Sequence, residues 1–456
     1  MEEILYNVPL WASIPFAMML LMIAVGPLFF EHWWENNKNK LIVSLALGIP
    51  TSIYLIATGL GVQLEEQLLD DYIPFIVLLT SLFVISGGIH LSGDIQAKPW
   101  VNTLFIGIGF LLASMMGTTG AAVLLIRPLI STNSQRKYKT HTILFFIAAV
   151  ANCGGMLTPL GDPPLFLLYL KGAPFTWFLH LLPEWLFVGV MLLLIYFILD
   201  TYWYKKEKPE NIRADIKDIT PIRITGLVNF IFLAGVVLSV VFINRNFIPQ
   251  MNVEERAHVP VYVKYLREIV MFILSAFSLF FTKKEIRDNN KFTWSPIIEV
   301  AVLFLGIFIT MVPALLYLKE NAASFGFTQP WQFYYATGAL SAFLDNAPTA
   351  LAFHGVASGL PEAIAAASAG VSNGIFNGIS FVAGISEILL KDIAVGSVFF
   401  GAMTYIGNGP NFMIKAIAEE NKIKMPSFFG YIFKFSLIVL LPIYIAVHLL
   451  LTYFPF

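Results

Sequence analysis

Charged residues are scarce in this chain of 456 residues: only 12% are charged, whereas 57% are hydrophobic, and the mean hydropathy is +0.75. A soluble domain cannot bury that much apolar surface, so the composition predicts a multi-pass helical membrane protein. The apolar runs are continuous rather than alternating, which excludes a transmembrane β-barrel. A net charge of −1 gives no reason to expect a nucleic-acid partner.

Cysteine is almost absent as well. Cys153 is the only one, so the chain has no internal disulfide framework. The chain begins Met1-Glu2-Glu3, without the basic region of a cleaved signal peptide, so its first apolar run is expected to remain a membrane helix. We expect a multi-pass protein of a bacterial plasma (inner) membrane, with the lipid bilayer as its partner and no cofactor.

The apolar runs predict about ten membrane spans and two hairpins that enter the membrane and return. Eight spans are continuous: 8–30, 41–61, 73–92, 183–203, 222–244, 264–282, 295–318 and 427–454. Two more are broken helices, at 140–171 and 392–416. The hairpins are 103–131, split by GTTG, and 330–358, split by LDNAPTA. The small-residue stretch 361–387 is expected not to span.

The order of these segments predicts two halves of inverted topology in an all-α fold, each with a re-entrant hairpin and a broken helix. The predicted parts are an extra N-terminal span (1–40), the first repeat (41–203), a charged cytoplasmic loop with a linking span (204–263) and the second repeat (264–456). The positive-inside rule puts the basic loop 204–223 in the cytoplasm. Inverted halves that meet at mid-membrane favour transport by alternating access.

Two matched stretches carry the strongest signal. Residues 152–171 (NCGGMLTPLGDPPLFLLYLK) lie at membrane depth, yet are full of helix breakers. Residues 404–412 (TYIGNGPNF) repeat 158–166 (TPLGDPPLF), with Asn408 in the place of Asp162. A lone break of this kind is often a simple proline kink. A matched pair predicts unwound backbone at a transporter's binding site, where carbonyls bind a cation or N–H groups an anion.

Two acids are predicted to lie deep in the membrane. A carboxylate there costs several kcal/mol unless it is paired, hydrated or protonated, so Asp162 suits a group that trades a proton for a metal cation. The alternative is that Asp162 caps a half-helix. Asp345 is the second acid, at the tip of the second hairpin. We predict a Na⁺ site at Asp162, Asp345 and Asn408.

Neutral oxygens near these acids are further candidates for binding the ion or the substrate. The amides are Asn152, Asn346, Asn408 and Asn411, and the hydroxyls are Thr118, Thr119, Thr158, Ser341, Thr349 and Thr404. The alternative for each is that it satisfies broken backbone or caps a turn.

Several other charged residues are predicted at the ends of spans. His90 and Asp94 are four residues apart and are expected to share a helix face, as a proton relay or as an interfacial ion pair. Glu387, Lys391 and Asp392 are expected at a solvated end.

Three local patterns resemble the ion transporter superfamily, which includes NhaD-type Na⁺/H⁺ antiporters, citrate and dicarboxylate carriers and arsenite permeases. They are Ala151, Gly154, Gly155 and Pro159–Pro164; Ser341, Asp345, Asn346, Pro348 and Thr349; and Gly407–Asn411. The resemblance covers roughly 40–200 and 265–454. It implies a two-repeat transporter, with a homodimer possible. One departure is GTTG in the first hairpin, where NhaD-like chains tend to have an Asp-Asn pair.

Three functions follow, in order of preference. The first is Na⁺ (or Li⁺)/H⁺ antiport, in which cation and proton compete for Asp162 and Asp345. The second is symport of citrate or a dicarboxylate with a cation, in which 117–119 and 348–349 hold the carboxylates. The third is an intramembrane aspartyl protease, because Gly161-Asp162 resembles part of its motif; Pro159 stands where that motif has glycine. The chain is expected not to be an enzyme.

Overall fold

Helices form most of the chain in the computed structural model, which describes residues 8–217, 219–244, 247, 248, 251 and 260–453. The helices up to the linking span are α1 (Ile14–Phe29), α2 (Glu31–Trp34), α3 (Asn37–Ala57), α4 (Gly61–Glu66), α5 (Ile73–Ser86), α6 (Pro99–Met116), α7 (Thr118–Thr132), α8 (Thr140–Ala149), α9 (Pro163–Leu170), α10 (Leu182–Tyr204), α11 (Pro209–Lys217) and α12 (Val228–Phe242). Those that follow are α13 (Val261–Lys264), α14 (Leu266–Phe281), α15 (Lys284–Asn289), α16 (Ser295–Glu320), α17 (Pro330–Phe343), α18 (Asn346–Ser358), α19 (Pro361–Ser368), α20 (Glu387–Phe400), α21 (Gly409–Glu420), α22 (Phe428–Tyr431) and α23 (Leu441–Tyr453).

Strands and stretches of 3₁₀ or π helix fill some of the gaps between these helices. The strands are β1 (His90–Asp94), β2 (Thr220–Thr225), β3 (Gly374–Phe376), β4 (Ile379–Val382) and β5 (Ile385–Ser386). Turns of 3₁₀ helix lie at Leu10–Ser13, Cys153–Leu157, Phe175–Leu181, Ala322–Phe325 and Gly401–Met403. Turns of π helix lie at Gln67–Tyr72 and Ile432–Leu440.

Eight helical segments of the described chain are long and apolar enough to cross a bilayer, or nine if the bent pair α18–α19 counts as one span. This confirms the predicted class, an all-α multi-pass membrane protein. The count is lower than ten partly because α12 and α14 have 15 and 16 residues, fewer than the ~20 that span the hydrocarbon core. The division into two inverted repeats stays a prediction.

Two predicted spans are wrong at one end, where strand replaces helix. The span predicted at 73–92 stops being helical at Ser86, because Gly87 and Gly88 follow. Gly88 packs so closely on Asn229 that a Cβ there would lie 2.6 Å from the amide nitrogen. β1 then pairs antiparallel with β2, so the linking helix begins at Val228 rather than at 222.

The stretch 361–387 forms no spanning helix. It begins with the eight-residue helix α19 and continues as a three-stranded antiparallel sheet in the order β3-β4-β5. These strands have two to four residues, whereas a strand that spans a bilayer needs about nine to eleven.

The broken stretch after α8 lies inside the protein. Within Thr140–Leu157, 83% of the most apolar 18-residue window is buried, against 28% for Leu10–Pro27 and for Asn37–Ala57. Unwound backbone at membrane depth is tolerated where protein or a wet cavity surrounds it, because lipid offers no hydrogen-bond partner. Burial therefore accounts for how this break persists.

The two helical pairs that were predicted as hairpins turn by different means. α6 and α7 meet at Gly117, whose φ of +81° is rarely adopted by L side chains. α17 and α18 meet at Leu344 and Asp345 in ordinary negative-φ backbone. The side chain of Asp345 caps α18 by accepting a hydrogen bond from Ala347 N at 3.1 Å.

Candidate functional site

The carboxyl group of Asp162 lies where the helical pairs α6–α7 and α17–α18 meet the two breaks, one after α8 and one after α20. Thr118 Oγ1 donates to Asp162 Oδ1 at 2.7 Å, and Asn408 Nδ2 donates to the same oxygen at 3.1 Å. Asn346 Nδ2 donates to Asp162 Oδ2 at 2.5 Å. Asp162 is 2% exposed. Three neutral donors from three separate elements therefore hold one buried carboxyl group.

Asp162 reaches these donors because its side chain does not cap α9. The helix begins with Pro163 and Pro164, which have no N–H to offer, and Asp162 makes no side-chain cap bond. The next two N–H groups, of Leu165 and Phe166, bond instead to the main-chain oxygen of Asp162, at 3.1 and 3.4 Å. The capping alternative for Asp162 is thus not adopted.

Glycine is required where the backbone crosses itself at each break. A Cβ on Gly161 would lie 1.9 Å from the carbonyl oxygen of Gly155, and one on Gly407 would lie 2.6 Å from that of Gly401. The Gly161 carbonyl also accepts a hydrogen bond from Thr118 N at 2.8 Å. This bond fastens the start of α7 to the residue before Asp162.

Asparagine amides join one break to the other. Asn408 Nδ2 also lies 3.2 Å from Asn152 Oδ1, and Asn152 Nδ2 donates to Asn411 Oδ1 at 2.7 Å. Asn411 in turn donates to the main-chain oxygens of Gly401 and Thr404, at 2.8 and 2.9 Å. Two of the predicted amides, Asn346 and Asn408, therefore contact Asp162, while Asn152 contacts Asn408 and Asn411 contacts Asn152.

Most of the predicted hydroxyl groups satisfy backbone instead. Each of four donates to a main-chain oxygen: Thr158 to Ser114, Thr404 to Ala342 at 2.5 Å, Ser341 to Ser397 at 2.6 Å and Thr349 to Asp345 at 2.9 Å. Thr119 is half-buried and its hydroxyl bonds to no described residue, so only Thr118 supplies a hydroxyl to the carboxyl group.

One acceptor at the site has no partner. Asn346 is fully buried, and its Oδ1 makes no hydrogen bond. An unpartnered buried oxygen beside a carboxyl group suits a small hard cation, which prefers oxygen ligands. The described residues contain no group of three or more His, Cys, Asp or Glu that would hold a metal ion.

A cavity of about 70 Å³ reaches Asp162 from one side. Thr118, Thr119 and Asp162 line it, together with apolar side chains of α5 and α16 such as Leu82 and Ile297. Such a volume holds a few water molecules, whereas pockets for larger organic ligands have roughly 300–1,000 Å³. In this conformation the cavity beside Asp162 therefore fits a small hydrated ion.

Buried basic side chains are all engaged away from Asp162. In the described chain, Lys40 pairs with Glu299 at 2.6 Å, Arg136 with Asp200 at 2.7 Å and Arg267 with Glu268 at 2.5 Å, while Arg287 donates to Val84 O and Ser278 Oγ at 2.8 Å. No ion pair of the described residues includes Asp162. An anionic substrate would therefore find no buried cation at this carboxyl group.

Two predictions about charged residues are wrong. His90 and Asp94 lie on β1 rather than on a helix face, because the two preceding glycines end α5; His90 Nδ1 lies 2.7 Å from Asn290 Oδ1. Their role as a proton relay or an ion pair stays a prediction. The end predicted to be solvated is largely buried, since Asp392 is 4% exposed and Lys391 pairs with fully buried Glu184 at 2.7 Å. Glu184 was not singled out from the sequence. The signal that could have found it is an acid in the first turn of an apolar span.

Comparison with known proteins supports the transporter interpretation. A family model described as "Putative citrate transport" matches residues 5–453. No curated protein matches the chain. Because the match covers almost the whole chain, and because the fold is the multi-pass helical one that the resemblance implied, the protein belongs to this citrate transport family of secondary transporters, in keeping with the ion transporter superfamily.

Proposed function

We propose that the protein exchanges Na⁺ (or Li⁺) for H⁺ across a bacterial plasma membrane, and that Asp162 binds the two ions in turn. The observation that carries the proposal is a single carboxyl group at the meeting point of both breaks, held only by neutral donors and without a basic partner among the described residues. Such a group needs a cation or a proton to offset the cost of its buried charge.

The residues around Asp162 have distinct roles in this scheme. Asn346 offers its free Oδ1 to the cation and holds Asp162 Oδ2 with its amide nitrogen. Thr118 and Asn408 hold Oδ1 in place. When the proton replaces the cation, the carboxyl group becomes neutral and the cation loses its only charged ligand in this cluster. Competition at one group couples the two flows.

Asp345 acts less directly in this scheme than the sequence suggested. Its side chain is engaged in capping α18, and it is only partly buried. Its negative charge near the start of α18 favours a cation beside Asn346, the next residue. Asp345 therefore serves as a supporting charge, and Asp162 as the exchanging group.

The alternative proposal is symport of citrate or a dicarboxylate with a cation, and the description of the matching family favours it. The N-termini of α7 and α18 would then receive the substrate carboxylates, with Thr119 and Thr349 nearby. The small cavity and the lack of a basic partner for Asp162 among the described residues favour the inorganic ion. A protease would need two facing acids, whereas the Asp345 side chain caps its own helix.

Transport by the purified protein in liposomes tests the proposal. Liposomes containing a pH-sensitive dye receive Na⁺, Li⁺, K⁺ or citrate in turn. We expect Na⁺ and Li⁺ to drive proton movement in the native chain but not in Asp162→Asn. The matched control is Glu420→Gln, an acid-to-amide change at an exposed ion pair. Labelled citrate uptake without Na⁺-driven proton movement would replace this proposal with the alternative.

A further inference from the structure

The segment 205–225 between α10 and α12, called here the basic cuff, exposes its basic side chains and buries two of its acids. Its six basic side chains are all exposed: Lys205, Lys206, Lys208, Arg213, Lys217 and Arg223. Of the acids that the structure describes there, Glu207 and Asp215 are buried, at 7% and 4%, and Glu210 is exposed. We propose that the basic cuff binds the headgroups of anionic lipids.

The two buried acids of the basic cuff accept hydrogen bonds from backbone N–H groups of the protein. Glu207 accepts a hydrogen bond from Tyr138 N at 2.7 Å, and Asp215 accepts one from Ala97 N at 3.1 Å. These bonds hold both carboxylates against the rest of the protein, where both side chains are buried. The outer face of the cuff therefore presents an excess of positive charge.

Apolar side chains accompany the exposed bases. Ile216, Ile219, Ile222 and Ile224 are 47–52% exposed, and Leu227 is 61% exposed. Alternate residues of a strand share a face, so Ile222 and Ile224 form an apolar face of β2. Exposed isoleucines among lysines and arginines are typical of segments that lie in the interface of an anionic bilayer.

The chain itself holds the cuff at the membrane surface. α10 belongs to a segment long and apolar enough to span, and it ends at Tyr204; the apolar helix α12 begins at Val228, three residues after the end of β2. β2 therefore lies within a few residues of the hydrocarbon region. An anionic lipid leaflet is within reach of its isoleucines and of the bases, and its charge complements theirs.

Membrane depth of a spin label tests the inference in the full-length chain. The label is attached at Ile222→Cys, and the unsubstituted chain is the blank because its Cys153 is fully buried. The accessibility of the label to oxygen and to a water-soluble nickel complex is compared in vesicles of zwitterionic lipid alone and with added phosphatidylglycerol. The matched control is Ile375→Cys, a 76% exposed isoleucine on β3.

We expect phosphatidylglycerol to move the label at 222 towards the oxygen-rich interior and to leave the label at 375 unchanged. The triple change Arg213→Gln, Lys217→Gln and Arg223→Gln removes three exposed bases and is expected to abolish this movement. Lys283→Gln with Lys284→Gln, two exposed bases at the start of α15, is expected to leave it intact. A label at 222 that is equally accessible to the nickel complex in both lipids, or that still moves in the triple variant, overturns the inference.

Discussion

Replacing Thr118 by valine removes one donor from Asp162 with little other change. Threonine and valine have nearly the same shape, and Thr118 is 1% exposed, so the substitution exchanges a hydroxyl for a methyl group in a fixed place. The lost bond joins Thr118 Oγ1 to Asp162 Oδ1 at 2.7 Å. It stabilises the ionised carboxylate, the form that binds Na⁺. We therefore expect Thr118→Val to favour the proton in its competition with the cation.

The strength of the lost hydrogen bond between Thr118 and Asp162 sets the size of the expected shift in pH. A hydrogen bond to a charged group contributes about 1.5–3 kcal/mol, and 1.36 kcal/mol corresponds to about one unit of pH. The pH of half-maximal exchange should therefore rise by about one to two units. The adjoining cavity admits water, which replaces part of the lost bond and places the effect nearer one unit.

The assay measures Na⁺-driven proton movement in liposomes across a range of pH. The control is Thr119→Val, the same substitution one residue away, where the hydroxyl bonds to no described residue. We expect its pH profile to match that of the native chain. An unshifted profile for Thr118→Val, or an equal shift for Thr119→Val, would refute the role given to the Thr118 hydroxyl.

One further prediction concerns a buried ion pair, and another concerns the break before Asp162. Asp200→Ala leaves Arg136 buried without its 2.7 Å ion pair, so we expect a loss of about 3–5 kcal/mol in the free energy of unfolding. Thermal unfolding in detergent checks this, and an unchanged midpoint would contradict it. Gly161→Ala places a Cβ against the backbone of the break and should abolish exchange, whereas Gly409→Ala, with open space around its Cβ, should be folded and active. Equal activity of these two variants would contradict the close crossing.

The sequence predicted the multi-pass helical class and a break in the helix at Asp162, because both depend on local signals. Helix breakers in an apolar run mark a break wherever the rest of the chain lies. The repeat also singled out Asn408, which the structure brings to Asp162, 246 residues away in the chain. It did not show that Asn346 rather than Asp345 makes the direct contact, since a helix cap and a ligand look alike in sequence.

The errors arose where long-range contacts decide the structure. The segment containing His90 and Asp94 looked like the end of a helix, but a strand about 130 residues later pairs with it. Lys391 and Asp392 looked solvated, but Glu184 lies against them from a span about 200 residues earlier. In both places the local sequence is compatible with either environment, and only tertiary packing selects one.

Proton release on Na⁺ binding tests most directly whether both ions compete for Asp162. The purified protein is titrated with NaCl in a weakly buffered solution that contains a pH dye, with choline chloride as the ionic-strength control. We expect proton release by the native chain, at most about one proton per site, and none by Asp162→Asn. Sodium binding without proton release, or release that persists in Asp162→Asn, would contradict the claim that Asp162 exchanges the two ions.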